Sequence, residues 1–219
     1  LVQVAAAQAA PQAHQDIARD NLASGRAAKL HNDWPDLVCH VQALLSGATP
    51  PNSEAAETLA FLTEADQLKS VLRATKIVEG SRRENSGEHS WHIAFYGWIL
   101  GEYSAGPIDV TRVIRMLLIH DLVEIDVGDV PIHSQGGSAH ASYETQAAEA
   151  RAADRIFGLL PAQHGRALRQ LWDEFEATET PDAVFAKSVD RVQPVICNLE
   201  NQGGTWPEFN VTAEQLETR

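Results

Sequence analysis

The chain has 219 residues, 44% of them hydrophobic and 21% charged, with 30 acidic against 17 basic residues for a formal charge of −13. That length suits one domain, or one domain plus an appendage, with room for a sizeable core, and the apolar fraction argues against intrinsic disorder. Strong net acidity makes nucleic-acid polymers and anionic membranes poor partners, and the two cysteines are too few for a disulfide framework.

The chain opens LVQVAAAQAAPQA, an apolar run followed by small residues but with no basic segment ahead of it. Export is therefore not expected, and the protein reads as cytoplasmic; the missing Met fits a trimmed start. Residues 1–52 read as an N-terminal helical appendage without recognised chemistry, with an amphipathic stretch from Trp34 to Leu45. The breaker cluster GATPPNS marks the boundary to a second domain, residues 53–219. There the 3.6-residue period predicts a helix over Ser53 to Glu79, a loop GSRRENSG, and a helix beginning near Glu88 that carries Trp91, Ile93, Phe95, Tyr96 and Leu100. A strongly apolar helix follows, with Val110, Val113, Ile114, Leu117 and Leu118 as its stripe. After the Gly-rich loop DVGDVPIHSQGGSAHAS come helical segments over about 142–158, 161–177 and 182–200. No strand-like alternation competes, so the expected class is an all-α helical bundle. The longest apolar run, around Trp91 to Leu100, is about half of the ~20 residues a membrane-spanning helix needs.

The informative residues are polar ones at positions where apolar ones belong. In TRVIRMLLIHDLVEIDVGD the apolar stripe continues, at spacings of three and four, into His120, Asp121 and Glu124. Burying such groups unpaired is costly, so they pair with one another or something cationic satisfies them. His89 leads a stripe through His92, Ile93 and Tyr96 toward the core. In AVFAKSVDRVQPVICNLE the expected buried stripe is Phe185, Val189, Val192 and Ile196. Asp190 lies beside it among the small residues Ala183, Ala186 and Cys197, either as a partner of Lys187 or Arg191 or as a ligand. Two imidazoles and two carboxylates suit Mn²⁺, Fe²⁺, Co²⁺, Ni²⁺ or Zn²⁺ better than Ca²⁺.

His89, the pair His120–Asp121 and Asp190 form the H…HD…D pattern. The longer strings RRENSGEHSWH, IHDLVEIDVGDVP and AKSVDRVQP resemble the HD-domain metal-dependent phosphohydrolases, in the branch of the 5′-deoxynucleotidases and close relatives. The resemblance spans about residues 68 to 201 and implies an HD-domain helical bundle. It also implies one divalent metal ion (Mn, Co, Fe, Ni, Zn or Mg) held by His89, His120, Asp121 and Asp190. It places the acid/base and water-orienting carboxylates at Glu124 and Asp129, the substrate phosphate near Arg73, and a homodimer in solution. The aromatic residue found after that arginine in this branch is replaced by Ala74, Thr75 and Lys76, which puts strict 2′-deoxyribose selectivity in question. Lys76, Arg82 and Arg83 add local positive charge suited to a phosphate, or form a solvated loop with surface ion pairs.

The expected reaction is hydrolysis of nucleoside 5′-monophosphates to nucleoside and phosphate. Hydrolysis of triphosphates or cyclic nucleotides, or a non-catalytic metal- or nucleotide-binding module, are the alternatives. His133 and His140 fall where dinuclear HD enzymes place extra ligands but lack their helical spacing, so a single metal is expected. His14, His31, His40 and His164 read as peripheral, and Trp172, Phe175 and Trp206 as exposed aromatics compatible with an interface.

Overall fold

The computed structural model describes residues 34–48, 53–130 and 142–217. The chain divides into two compact units between Leu59 and Ala60. In the first, helix α1 (Pro35–Ser46) has a proline in its first turn, where no N–H is missed, and stops at Gly47 in the left-handed conformation (φ 72°). It buries Val38 and also His40, which is therefore not peripheral.

Helix α2 (Ser53–Ala65) ends well before Glu79. A 3₁₀ turn (Asp66–Ser70) follows, then strands β1 (Leu72–Lys76) and β2 (Arg83–Asn85). The single helix expected here, and the plain loop after it, are thus replaced by an antiparallel hairpin with Leu72 opposite Asn85 and Lys76 opposite Arg83. Val71, Thr75, Ile77 and Val78 explain the change, since β-branched side chains favour extended backbone. Gly80 closes the turn at φ 79°, its N–H donating to the Ile77 carbonyl at 2.8 Å.

The remaining frame is helical. Helix α3 (Ser86–Leu100) starts two residues ahead of Glu88 because Asn85 and Glu88 form a capping box. Helix α4 (Val110–Ile119) is capped by Asp109 and runs into a 3₁₀ turn (His120–Val123) and the short α5 (Glu124–Val127). Ser142 caps α6 (Tyr143–Phe157), α7 spans Ala162–Ala177, and Thr180 with Pro181 opens α8 (Pro181–Glu200). Two short helices, α9 (Trp206–Phe209) and α10 (Ala213–Glu217), close the described chain.

Two apolar clusters hold this frame. One joins Phe61, Leu68, Leu122, Ala153, Ile156, Phe157 and Trp172; the other joins Ile93, Val113, Met116, Leu117, Phe175, Ala183 and Val189. Trp172 and Phe175 are thus core residues rather than exposed aromatics, and the exposed aromatics include Trp34, Trp91, Phe95, Trp98, Tyr103 and Tyr143. Met116 takes the buried place expected of Leu118. On α8 the small residues Ala183, Ala186 and Cys197 are buried together with Val189 and Gln193, with Val192 turned outward. Helices α3 and α4 meet at Gly97, where a Cβ would stand 2.7 Å from Leu117 Cδ1 and would require that side chain to shift. No described helix is long and apolar enough to cross a membrane.

Candidate metal centre

The two clusters leave a polar centre between β1, α3, the end of α4 and α8. His89 is fully buried, His120 and Asp121 nearly so. His89, His120 and Asp121 each offer a ligand atom within 4.8 Å of the others. From α8, Asp190 Oδ1 lies 3.0 Å from His89 Nε2 and 3.6 Å from His120 Nε2. The bonds around His120 fix its ring. Its Nδ1–H donates to the Leu117 carbonyl at 2.9 Å, Phe175 packs edge-on to it, and Trp172 Nε1 donates to its backbone carbonyl. His120 Nε2 then faces Asp121 Oδ1 at 2.9 Å without a well-formed hydrogen bond. A donor nitrogen left unpartnered inside a fold, aimed at two carboxylates and a second imidazole, fits a divalent cation.

The local field says the same. Burial disfavours charge on the His120 ring, yet Asp121 and Asp190 outweigh it and lift its pKa to about 10. Burial and the Arg73 charge push His89 down, and hydrogen bonds to Asp190 and Glu84 more than offset them. Burial raises Asp121, but His120 and Arg73 hold it at about 2. Asp190 is likewise drawn well below its ordinary value by the two histidines. These residues favour positive charge at the point where they meet.

Arg73, on β1, reaches into this centre from the hairpin and is almost wholly buried. Its Nη1 donates to Asp121 Oδ2 at 2.7 Å and lies 3.6 Å from both Glu124 Oε1 and Asp129 Oδ1. Its Nε is buried 3.7 Å from Glu84 Oε1, without a hydrogen-bond partner. Glu124 receives the Ser86 hydroxyl, while burial and the neighbouring Asp121 charge push its pKa up to about 8 against the pull of Arg73. Asp129 accepts from the Ala74 backbone N–H at 3.2 Å, and burial raises its pKa too.

The structure therefore brings together His89, His120, Asp121, Asp190, Glu124, Asp129 and Arg73. Lys76 is half-buried at the far end of β1. Arg82 does not join: both its terminal nitrogens bind Glu88 at 2.8 Å on the surface, and Arg83 pairs with Glu208. His14, His31, His133 and His140 lie outside the described residues. Sequence reasoning missed Glu84, Ser86 and Gln193, which are buried behind the ligand set. For Gln193 the available signal was a long polar side chain inside an apolar pattern, whereas Glu84, in the polar run SRRENSG, carried none.

An HD domain family model matches residues 65–219. The chain is 27% identical over 173 residues to the 5′-deoxynucleotidase HDDC2 of Homo sapiens, covering 76% of this chain and 81% of that protein. It is 26% identical to the 5′-deoxynucleotidase yfbR of Photorhabdus temperata, covering 72% and 81%. A crystal structure described as a predicted metal-dependent phosphohydrolase from Magnetospirillum magnetotacticum superposes with a TM-score of 0.71. Its sequence is 45% identical, and the match covers 77% of this chain and 82% of that one.

Proposed function

The chain belongs to the HD domain family, and on that footing we propose that it is a metal-dependent hydrolase of nucleoside 5′-monophosphates, deoxynucleotides foremost, releasing nucleoside and phosphate. The observation that supports this best is the convergence of His89, His120, Asp121 and Asp190 on one buried point, with Arg73 and Glu124 beside it. In this reading those four side chains hold one divalent ion, which when bound supplies Lewis-acid chemistry toward a phosphoryl oxygen and acidifies water. Arg73 holds the phosphate through its guanidinium. A phosphate dianion would otherwise meet Glu84, Asp121, Glu124, Asp129 and Asp190 with only one guanidinium in its favour, so anion binding here depends on the cation.

Glu124 is placed to take a proton from the attacking water, with the Ser86 hydroxyl holding its far oxygen. The water oxygen bonds to phosphorus, the P–O5′ bond breaks, and the departing nucleoside oxygen takes up a proton. Asp129, anchored by the Ala74 N–H, orients water or substrate. Ala74, Thr75 and Lys76 set no aromatic ring beside Arg73, which favours acceptance of ribose as well as deoxyribose substrates. The family relatives named 5′-deoxynucleotidases support the substrate class. A homodimer, a cytoplasmic location and a catalytic domain over residues 53–219 complete the reading, with size-exclusion chromatography coupled to light scattering as the check on the dimer.

The test is phosphate release from a panel of ribo- and deoxyribonucleoside 5′-monophosphates by EDTA-stripped protein resupplied with Mn²⁺, Co²⁺, Ni²⁺, Zn²⁺ or Mg²⁺. Metal-dependent release supports the reading, and its split between sugars sets the selectivity. No release from any monophosphate by metal-loaded protein sinks it.

A further inference from the structure

Behind His89 lies a second buried polar layer with no part in the reaction above. Gln193, on α8, is fully buried, and Glu84, on β2, is 3% exposed. Gln193 Oε1 lies 3.1 Å from His89 Nδ1, and Glu84 Oε1 stands 3.3 Å from the same nitrogen. Gln193 Nε2 donates to Glu84 Oε2 at 3.2 Å and also lies 3.2 Å from His92 Nδ1 and from Cys197 Sγ. Glu84 Oε1 in turn faces Arg73 Nε at 3.7 Å.

A carboxamide can sit either way round, and its neighbours decide which. Glu84, beside the permanently charged guanidinium of Arg73, accepts hydrogen bonds, so Gln193 must turn its NH₂ toward it. That leaves Gln193 Oε1 facing His89. With two acceptor oxygens around it, His89 Nδ1 carries the hydrogen, so Nε2, the nitrogen that faces Asp190 and the ligand set, is the one whose lone pair becomes available when a cation displaces its proton. The order Arg73, Glu84, Gln193, His89 ties the anion-binding group to the imidazole donor through one buried carboxylate.

Building on the reading of His89 as a metal ligand, we propose that Glu84 and Gln193 are positioning residues that set the tautomer and orientation of His89 for cation binding. Partners of this kind typically change metal affinity by about 10–100-fold when lost.

The experiment uses the full chain stripped with EDTA. It reads the Mn²⁺ dissociation constant by calorimetry, the visible spectrum with Co²⁺, and the melting of the metal-free protein. Glu84→Gln removes the charge that turns the amide, and Gln193→Glu sets two carboxylates together. Each is expected to weaken Mn²⁺ binding by roughly 10–100-fold. The exchange variant carrying both changes again places one donor between two acceptors, and it is expected to recover most of the affinity and the parent Co²⁺ spectrum. A purely structural role would not produce that recovery. Parent-like affinity and spectrum in both single variants overturns the proposal, as does an exchange variant no better than the singles. His89→Ala separates the two layers of inference. If it loses Mn²⁺ binding while Glu84→Gln does not, only the positioning roles fall. If it binds Mn²⁺ like the parent, the ligand assignment beneath them falls as well.

Discussion

Arg73 and Arg82 belong to one hairpin, and their surroundings are opposite. Arg73 is buried among Glu84, Asp121, Glu124 and Asp129, with one nitrogen left unpartnered. Arg82 is about half exposed and lies flat against Glu88, bound through both terminal nitrogens. An exposed pair of that kind gains little over its hydrated, separated state. Arg73 sits where the dielectric is low and where a removed partner leaves carboxylates buried without compensation. Positive residues that look alike in sequence thus divide into one buried against the candidate metal centre and one paired on the surface.

If the buried region carries the chemistry, the largest loss comes from Glu124. Glu124→Gln is expected to keep metal affinity within about threefold of the parent while lowering kcat by about 10³-fold, since a positioned acid/base group contributes on the order of 10²–10⁴. Calorimetry with Mn²⁺ and phosphate release on the same preparation check both halves. Full turnover in that variant would remove Glu124 from the mechanism. Next in size is the arginine contrast itself. Arg73→Met is expected to lower kcat/KM by about 10²-fold through lost charge-assisted contacts, and Arg82→Ala to change it by less than about twofold. Equal effects at the two positions would erase the distinction between the two environments.

Much of this was legible in the sequence, and what was not follows a physical pattern. Helices α3, α4, α6, α7 and α8 announced themselves through apolar periodicity and caps, because both signals are local. His89, His120, Asp121 and Asp190 could be chosen because each extends or borders an apolar stripe, and the fold brings them to one point. The hairpin escaped because Leu72–Lys76 is short and follows a helical run without a break, although a helix from Ser53 to Glu79 would have been longer than most. Trp172 and Phe175 read as surface aromatics in the sequence alone, and the packing around α7 places them in the core. Gln193 and Glu84 meet across 109 residues, and no local pattern encodes a pair at that distance.

Ser86 lies between the two environments: it heads α3 next to the capping residue Asn85, yet its hydroxyl points inward to Glu124. Ser86→Ala keeps the cap and removes one hydrogen bond from the carboxylate. A roughly tenfold fall in kcat is expected, in line with the ~1.5–3 kcal/mol of a hydrogen bond to a charged group, with KM and Mn²⁺ affinity unchanged. A change confined to KM would instead make Ser86 a substrate contact.

The smallest expected effect is on stability, and it separates the two regions by pH. Burial and Asp121 raise the Glu124 carboxyl to about 8 from an ordinary 4.5. Between those values the folded metal-free protein holds a proton that the unfolded chain has released. Its stability from this group is complete below about 4.5 and is lost as pH rises through 8. The metal-free protein should therefore melt several degrees lower at pH 8.5 than at pH 6, and Glu124→Gln should reduce that slope, leaving the part due to His120, whose pKa the neighbouring carboxylates lift to about 10. Glu88 behaves in the opposite sense. Its hydrogen bond with Arg82 lowers its pKa, so what it contributes is present above its ordinary value and lost only in acid, outside this window. Arg82→Ala should consequently leave the difference between pH 6 and pH 8.5 untouched. Adding Mn²⁺ should raise the melting temperature more at the higher pH, because ligands bind a metal in their deprotonated forms. A slope unchanged in Glu124→Gln would remove Glu124 from the titration, and one that vanishes with Arg82→Ala would place the titrating group outside the buried centre.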